Sequence, residues 1–180
     1  MNNSGEIVRK LAAIVFTDIV DFTRLSSIDE IKALDLIDKQ RELLKPIVKS
    51  YDGEWLKEMG DGLLFSFKSS IKAVDCAIEI QHITKEYDDL DLRIGIHQGD
   101  ILIRDQDIFG DDVNIASRIE RIASTGEICI SSEIYSQIKN KNDIQAESLG
   151  VKSIKGIDND IEVYKISRVT ESKESTEEEA

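Results

Sequence analysis

Two aspartates, Asp18 and Asp61, have the residue type and the setting to do chemistry together. Asp18 ends the apolar run LAAIVFTD, and Asp61 lies in a Gly-Asp-Gly turn signal between two strand-like segments. Each alone has a structural explanation, because aspartate is common at strand ends and in turns. If the two strands are neighbours in one sheet, the carboxylates can face each other, and Mg²⁺ prefers such oxygen ligands. The pair therefore predicts a two-cation site that activates a hydroxyl and supports a leaving group at phosphorus.

The segment after Asp18 adds a predicted phosphate site. Asp18 to Thr23, DIVDFT, leads towards a helix, and amides in such a turn can point together at an anion. Thr23 adds a hydroxyl donor. The signal is weak by itself, since the sequence has no glycine-rich phosphate loop. Asp21 places a further carboxylate beside the turn, and the sequence gives it no role.

Lys57 and Asp107 are candidates for reading a purine edge. Taken separately, each is more typical of a solvated surface charge. Together they provide a donor and an acceptor, which match the ring nitrogen and the amino group of adenine. Guanine presents a carbonyl and an N–H there, and the mismatch would leave polar groups unpaired at about 1–3 kcal/mol each.

Asn114 and Arg118 are four residues apart in VNIASR, so they share one face of a predicted helix. The structural alternative is a surface amide and an ordinary salt bridge. The functional interpretation is a ribose contact from Asn114 and a phosphate clamp from Arg118, whose guanidinium suits the charge that builds during phosphoryl transfer. Lys155, in the glycine turn IKGID, is a further cation that means little by itself.

The charge of the chain argues against polyanionic partners. Lys and Arg number 23 and Asp and Glu 36, a formal net charge of −13. Such a surface repels nucleic acid and anionic lipid, so we expect neither nucleic-acid binding nor membrane insertion. Cys76 and Cys129 lie in apolar patterns typical of buried residues, and a reducing cytoplasm is the expected location. His82 and His97 lack the spacing of metal ligands.

The elements that must position these residues alternate between strands and helices. The pattern predicts an α+β fold with a ferredoxin-like split βαβ core, in which helices flank a mixed sheet. Predicted strands cover 11–17, 54–59, 63–67, 92–96, 101–104, 127–130 and 161–166. Predicted helices follow Ser27 and Ser69 or Ser70, and cover 112–123 and 133–138.

Three details of this prediction can be checked directly. Ser27 and Glu30 have the S-x-x-E form of a capping box at the start of the first helix. The apolar face of that helix is predicted from residues at near-helical spacing, namely Ile31, Leu34, Ile37, Leu44, Ile47 and Val48. The domain is expected to span 11–168, with a flexible N-terminus over 1–10 and an acidic disordered tail or linker over 169–180.

Taken together, the motifs resemble the class III nucleotidyl cyclase catalytic domain over nearly the whole chain. Any one of them is weak, but the set, in family order and at family-like spacing, is highly specific. The resemblance rests on FTDIVDFT, LKEMGDGLLFSF, LRIGIHQGD, DIFGDDVNIASRIE and IKGIDNDIEVYKI.

The resemblance implies an adenylate cyclase that uses two Mg²⁺ or Mn²⁺ ions to form cyclic AMP from ATP. It implies that Asp18, Asp61 and the Ile19 carbonyl hold the metals. Phe22 and Thr23 would line the phosphate turn. Lys57 and Asp107 would select adenine. Asn114 and Arg118 would orient the ribose and stabilise the transition state. Lys155 would hold the polyphosphate.

The resemblance also implies a head-to-tail homodimer with two sites, each built from both chains. Guanylate cyclases typically carry Glu at the Lys57 position and Cys or Ser at the Asp107 position. The sequence departs from the family at Asp21, where Gly is frequent, and at Asp100, where some members have a phosphate-binding Arg. Two alternatives stay open: a cyclase for GTP or a pyrimidine triphosphate, and an idle ATP-binding dimer module. The sequence identifies no regulatory domain or partner.

Overall fold

The apolar run that ends at Asp18 forms the centre of a β-sheet. In the computed structural model, which describes residues 5–105 and 107–169, strand β1 (Val8–Ile19) pairs antiparallel with strands on both sides. Residues 12–17 of this strand are buried, because the sheet is covered on both faces. The strand therefore carries Asp18 out of the middle of the core.

Helices alternate with strands along the rest of the chain. The further elements are α1 (Phe22–Ile28), α2 (Glu30–Ser50), β2 (Glu54–Met59), β3 (Gly62–Phe67), α3 (Ser70–Thr84), β4 (Leu92–Arg104), β5 (Asp107–Phe109), α4 (Asp111–Ile122), β6 (Ile128–Ser131), α5 (Ser132–Ile138), β7 (Ile144–Lys152) and β8 (Ile161–Val169). The eight-stranded sheet has the order β2-β3-β1-β4-β6-β8-β7, with β5 paired to β4. Since β4 and β6 are parallel and the other pairs antiparallel, the predicted mixed sheet and α+β class are confirmed.

The sheet has an apolar cluster on each face. The larger cluster lies under α2, α3 and α5 and includes Val15, Phe65 and Ile94. On the opposite face, α4 packs against residues that alternate with these, such as Ile14 and Leu64. This period-two alternation places Asp18 on the α4 face, in step with Ile14.

Strand β4 is longer than the sequence suggested. The sequence predicts two strands, over 92–96 and 101–104, with Gly95 and Gly99 allowing bends, but one continuous strand pairs with β1 along its length. The glycines instead allow α4 to approach. A Cβ at Gly95 would lie 2.3 Å from the Glu120 amide nitrogen, and one at Gly99 would lie 2.1 Å from the Asp112 side chain.

The predicted capping box is wrong. Helix α1 begins at Phe22, so Ser27 lies inside it and donates a hydrogen bond to the Arg24 carbonyl. Asp29 caps α2 instead, because its side chain accepts a hydrogen bond from the Lys32 amide.

The predicted apolar face of α2 is only partly correct. Leu44, Ile47 and Val48 are buried as expected. Ile31 and Leu34 are 74% and 62% exposed, because Ala33 and Leu36 occupy the buried positions of the first turns. The α2 face that packs on the sheet is therefore rotated at its N-terminal end.

The boundaries of the chain also differ from expectation. Strand β1 begins at Val8, inside the segment 1–10 that was predicted to be flexible, because residues 8–10 pair with 101–103. Strand β8 continues to Val169, and the predicted tail over 170–180 lies outside the described residues, as do residues 1–4. Cys76 and Cys129 are buried and free, as predicted. Among the helices described, none is long and apolar enough to cross a membrane.

Candidate functional site

The metal and phosphate candidates line one open cavity of about 660 Å³ at the end of β1. The predicted residues there are Asp18, Ile19, Phe22, Thr23 and Asp61. The cavity also takes in Asp21, Arg24, Ser27 and Arg93. Residues that are distant in the sequence therefore meet where the central strand, helix α1 and the β2–β3 turn come together.

Asp61 is fixed by its turn and by two hydrogen bonds. The turn is tight because Gly60 adopts a left-handed φ of 62°. The Ile19 amide donates to Asp61 Oδ2 over 2.9 Å, which ties the side chain to β1. The buried Gln40 side chain of α2 donates to the Asp61 carbonyl over 3.1 Å. Strand, helix and turn thus hold one carboxylate.

Asp18 is held by Arg93, its partner across the β1–β4 pair. Arg93 Nε lies 2.9 Å from Asp18 Oδ1, and Arg93 Nη2 lies 2.5 Å from Oδ2. The two side chains are 30% and 22% exposed, so the ion pair is partly removed from solvent. This bidentate pairing fixes the orientation of the carboxylate.

Glu120 is a third acid beside this pair. It is buried on α4, and its Oε1 atom has no hydrogen-bond partner among the described residues. Burial, followed by a hydrogen bond with Asp18 and the charge of Asp18, raises the pKa of Glu120 to about 9. A hydrogen bond between two carboxyl groups requires a proton on one of them, and the raised pKa lies with Glu120 rather than with Asp18.

The two aspartates respond oppositely to this environment. Burial acts to raise the pKa of Asp18, but hydrogen bonds from Arg93 and Glu120 and the Arg93 charge outweigh it and lower that pKa. For Asp61, burial raises the pKa above its usual range, against the hydrogen bond from the Ile19 amide. The charge of Asp18 adds to this rise, so the carboxylates are close enough to repel each other.

This donor set fits a hard divalent cation. Asp18 and Asp61 repel within one cavity, which a cation would relieve, and their oxygens are the ligands that Mg²⁺ and Mn²⁺ prefer. A protein site built for Mg²⁺ usually has one or two carboxylates, with phosphates and water completing the shell. In the part of the chain described, no group of three or more His, Cys, Asp or Glu side chains is arranged to hold a metal ion.

Asp21 occupies a strained backbone position at the rim of the cavity. Its φ of 60° and ψ of 19° are left-handed, and its side chain makes no capping hydrogen bond. This conformation explains why glycine suits the position. Asp100, the second departure from the family pattern, lies away from this cavity and pairs with Arg9 over 3.4 Å.

The other predicted site residues lie elsewhere on the surface. Lys57 is exposed on β2 beyond a register shift, Asp107 starts β5, and Lys155 is in an exposed turn. Asn114 is exposed and Arg118 half-buried on α4. In the described structure, none of these five residues lines the cavity that holds Asp18 and Asp61.

Three of these residues are next in sequence to residues of one apolar cluster. Leu56, next to Lys57, and Ile108, next to Asp107, pack against the cluster that contains Val113, next to Asn114. Strands β2 and β5 and helix α4, which carry the three residues, are therefore joined by one apolar cluster on the α4 face of the sheet.

The start of α4 is fixed to β4 by a polar contact that was not predicted. His97, which directly follows the predicted 92–96 strand, is buried in the middle of β4, and its Nε2 lies 2.9 Å from Asp112 Oδ1. The Asp100 amide donates to Asp112 Oδ2 over 2.9 Å. These contacts hold the helix that carries Asn114 and Arg118.

Sequence reasoning missed Arg93, Glu120 and Gln40. The pairing of Arg93 with Asp18 depends on strand register, which the sequence does not give. Glu120 and Gln40 do carry a signal, since each is a polar residue at a buried helical position. Such residues are usually buried with a polar partner, which is the Asp61 carbonyl for Gln40 and the Asp18 carboxylate for Glu120.

Comparison with known proteins identifies the class. Residues 9–168 match the model of the adenylate and guanylate cyclase catalytic domain, so the chain belongs to the class III nucleotidyl cyclase family. An adenylate/guanylate cyclase/hydrolase from Silicibacter pomeroyi has a similar crystal structure, with a TM-score of 0.81 and 33% identity over 89% of this chain and 98% of that one. The adenylyl cyclase CyaB from P. aeruginosa gives a TM-score of 0.83 and 27% identity, over 92% and 98%.

A relative with a known sequence is also named as an adenylate cyclase. The chain is 28% identical to an adenylate cyclase of Streptomyces coelicolor (strain ATCC BAA-471 / A3(2) / M145) over 144 residues, 78% of this chain. The chain spans only part of such proteins. It covers 28%, 21% and 38% of the lengths of its relatives from Rhizobium meliloti, Myxococcus xanthus and Streptomyces coelicolor.

Proposed function

We propose that this domain is an adenylate cyclase that converts ATP to 3′,5′-cyclic AMP and pyrophosphate. The observation that carries the proposal is the junction of Asp18, Asp61 and the α1 turn in one cavity, which fits cations beside a triphosphate. Membership of the cyclase family and the likeness to a curated adenylate cyclase support the same reaction.

The reaction joins the ribose 3′-oxygen to the α-phosphorus. The bond from that phosphorus to the bridging oxygen breaks, and pyrophosphate leaves with the electron pair. Two bound Mg²⁺ or Mn²⁺ ions would lower the proton affinity of the hydroxyl and neutralise phosphate charge. The proton goes to water, to a substrate phosphate or to Asp18. Positioning supplies much of the rate, since the attack is intramolecular.

Each predicted residue has a role in this proposal. Asp18, Asp61 and the Ile19 carbonyl hold the cations, while Phe22 and Thr23 line the phosphate turn. Asn114 orients the ribose, Arg118 stabilises charge in the transition state and Lys155 binds the polyphosphate.

The substrate base is assigned from Lys57 and Asp107. Both are exposed, and both are next to residues of one apolar cluster, so a base can approach them from solvent. A Lys donor and an Asp acceptor match the adenine edge. GTP is the second candidate, because solved relatives with the same fold include guanylyl cyclases.

The separation of the site residues supports a shared site. The metal half lines one cavity of the described chain, and the base, ribose and phosphate half lies outside it. We infer a head-to-tail homodimer in which each chain supplies one half to each of two sites. A cytoplasmic location stays a prediction that rests on the two free cysteines.

The test is product analysis after incubation with each nucleoside triphosphate and Mn²⁺ at several protein concentrations. We expect cyclic AMP from ATP, with a specific rate that rises with protein concentration as dimers form. Asp18→Ala and Asp61→Ala should abolish the product, whereas Asp35→Ala on the exposed side of α2 should not. Full activity in either site variant would end the two-cation proposal, and cyclic GMP from GTP would establish the second candidate.

A mixing experiment tests the shared site. Asp18→Ala and Arg118→Ala damage different halves, so a heterodimer of the two keeps one complete site. We expect activity to return on mixing. Absence of recovery, with heterodimers demonstrated by tagged pull-down, would contradict the shared arrangement. Absence of product from every nucleotide, with ATP still bound, would favour the idle ATP-binding module.

A further inference from the structure

Arg93 makes two hydrogen bonds to the carboxylate that the proposed function assigns to the cations. Its Nε and Nη2 atoms lie 2.9 Å and 2.5 Å from Oδ1 and Oδ2 of Asp18. A carboxylate accepts about four hydrogen bonds or ligands through its lone pairs, and this fork uses one on each oxygen. Neither oxygen of Asp18 is therefore free of Arg93.

The positive charge of Arg93, like its hydrogen bonds, stabilises the ionised carboxylate of Asp18. A guanidinium stays protonated throughout the physiological pH range, and a partly buried pair is poorly screened by solvent. Arg93 lines the cavity together with Asp18 and Asp61, so a cation there would lie next to a fixed positive charge. Within the described cavity, Arg93 thus compensates Asp18 in the way that a metal ion would.

We propose that Arg93 is an internal counter-ion that competes with divalent cations for Asp18 and holds the metal affinity of the free protein low. The inference rests on the proposed function, because it needs Asp18 as a metal ligand. A triphosphate is the natural alternative partner for Arg93, since guanidinium binds phosphate bidentately and the α1 turn lies in the same cavity. Nucleotide binding would then release Asp18 for the cations.

The test measures binding of Mn²⁺ alone, without nucleotide, by isothermal titration calorimetry. Arg93→Gln removes the charge and the fork, and we expect about tenfold tighter Mn²⁺ binding, the scale of one charge-assisted hydrogen bond. Arg93→Lys keeps the charge but loses the fork, so its affinity should lie between the two. The matched control is Arg9→Gln, whose arginine pairs with Asp100 outside the cavity, and it should not change the affinity.

The outcomes separate this inference from the proposed function. Other acids of this chain also attract Mn²⁺, so the double variant Arg93→Gln with Asp18→Asn shows whether Asp18 is responsible. In that variant, the gain in Mn²⁺ affinity seen in Arg93→Gln must vanish. Unchanged or weaker binding in Arg93→Gln overturns the inference, and Arg93→Lys decides if the glutamine variant does not fold. If Asp18→Asn alone leaves Mn²⁺ binding intact, the metal assignment itself fails, whatever the Arg93 variants do.

Discussion

Gln40 and Asp61 are joined by a partly buried hydrogen bond of 3.1 Å, which the Gln40 side-chain amide donates to the Asp61 carbonyl. Gln40→Leu still fills this buried position in α2 with a side chain of similar size, but it leaves the Asp61 carbonyl without its hydrogen-bond donor. We expect the free energy of unfolding to fall by about 1–3 kcal/mol and the cyclase rate to fall as well, because the Asp61 turn loses its anchor. Urea unfolding and initial rates measure the two effects.

A second buried glutamine provides the control for Gln40. Gln81 on α3 donates to the carbonyls of Leu92 and Glu127 and does not line the site cavity. Gln81→Leu should lose similar stability with a much smaller loss of activity per folded molecule. Equal losses of activity in the two variants would contradict a positioning role for Gln40.

Glu120 predicts a specific dependence of stability on pH. Its carboxyl has a pKa of about 9 in the folded protein and 4.5 as its ordinary value. Between these values the folded state binds the extra proton, so the free energy of unfolding falls as pH rises. The Glu120→Gln side chain does not titrate. Its free energy of unfolding should therefore rise relative to that of the parent as pH rises, by at most about 1.4 kcal/mol per pH unit.

Urea unfolding at pH 5 to 8 tests this slope. Glu42→Gln on the exposed side of α2 is the control and should run parallel to the parent. A constant difference between Glu120→Gln and the parent over this interval would mean that Glu120 is ionised in the folded protein.

Asp21 predicts a gain on substitution. Asp21→Gly relieves a left-handed residue and removes a negative charge from the rim of the proposed phosphate site. We expect a stability gain of at most about 1 kcal/mol and a lower KM for ATP. Asp89→Gly relieves the same strain, with φ of 66°, away from the cavity, and should leave KM unchanged. A raised KM in Asp21→Gly would show that this carboxylate assists binding.

Lys57 and Asp107 predict the base preference. The double variant Lys57→Glu with Asp107→Cys replaces the donor by an acceptor and removes the acceptor that repels guanine. We expect kcat/KM to fall for ATP and to rise for GTP, each by about tenfold or more, the scale of one mismatched polar group. Lys49→Glu makes the same charge change on α2 and should keep the ATP preference. An unchanged ratio would remove base selection from these residues.

The sequence predicted much of the scaffold because its signals are local. Two strand-like segments around the Gly-Asp-Gly turn located the β2–β3 hairpin, and the α+β class followed from the order of elements. The capping box predicted at Ser27 is wrong because such a box requires the helix to start after the serine, and α1 begins at Phe22. The predicted division of β4 into two strands is wrong for another reason: Gly95 allows close contact with α4, which no local pattern reveals.

The predicted metal pair depended on family resemblance as much as on pattern. The structure brings Asp18 and Asp61 to one cavity, but their roles stay a prediction. Arg93 could not be found from the sequence, because it lies 75 residues from Asp18 and meets it only through the register of β1 and β4. Long-range register is set by the whole core rather than by any segment of it.

The two carboxylates of the cavity differ in mechanical freedom. Asp18 extends from a strand that is hydrogen-bonded along both edges, whereas Asp61 sits in a hairpin turn. Amides of β1 should exchange with deuterium only when the sheet opens, while turn amides exchange through local opening. If the pair binds cations as proposed, we expect a change of ion radius to be accommodated at the hairpin turn, within the limits set by the two hydrogen bonds that hold Asp61, while Asp18 stays fixed to the sheet.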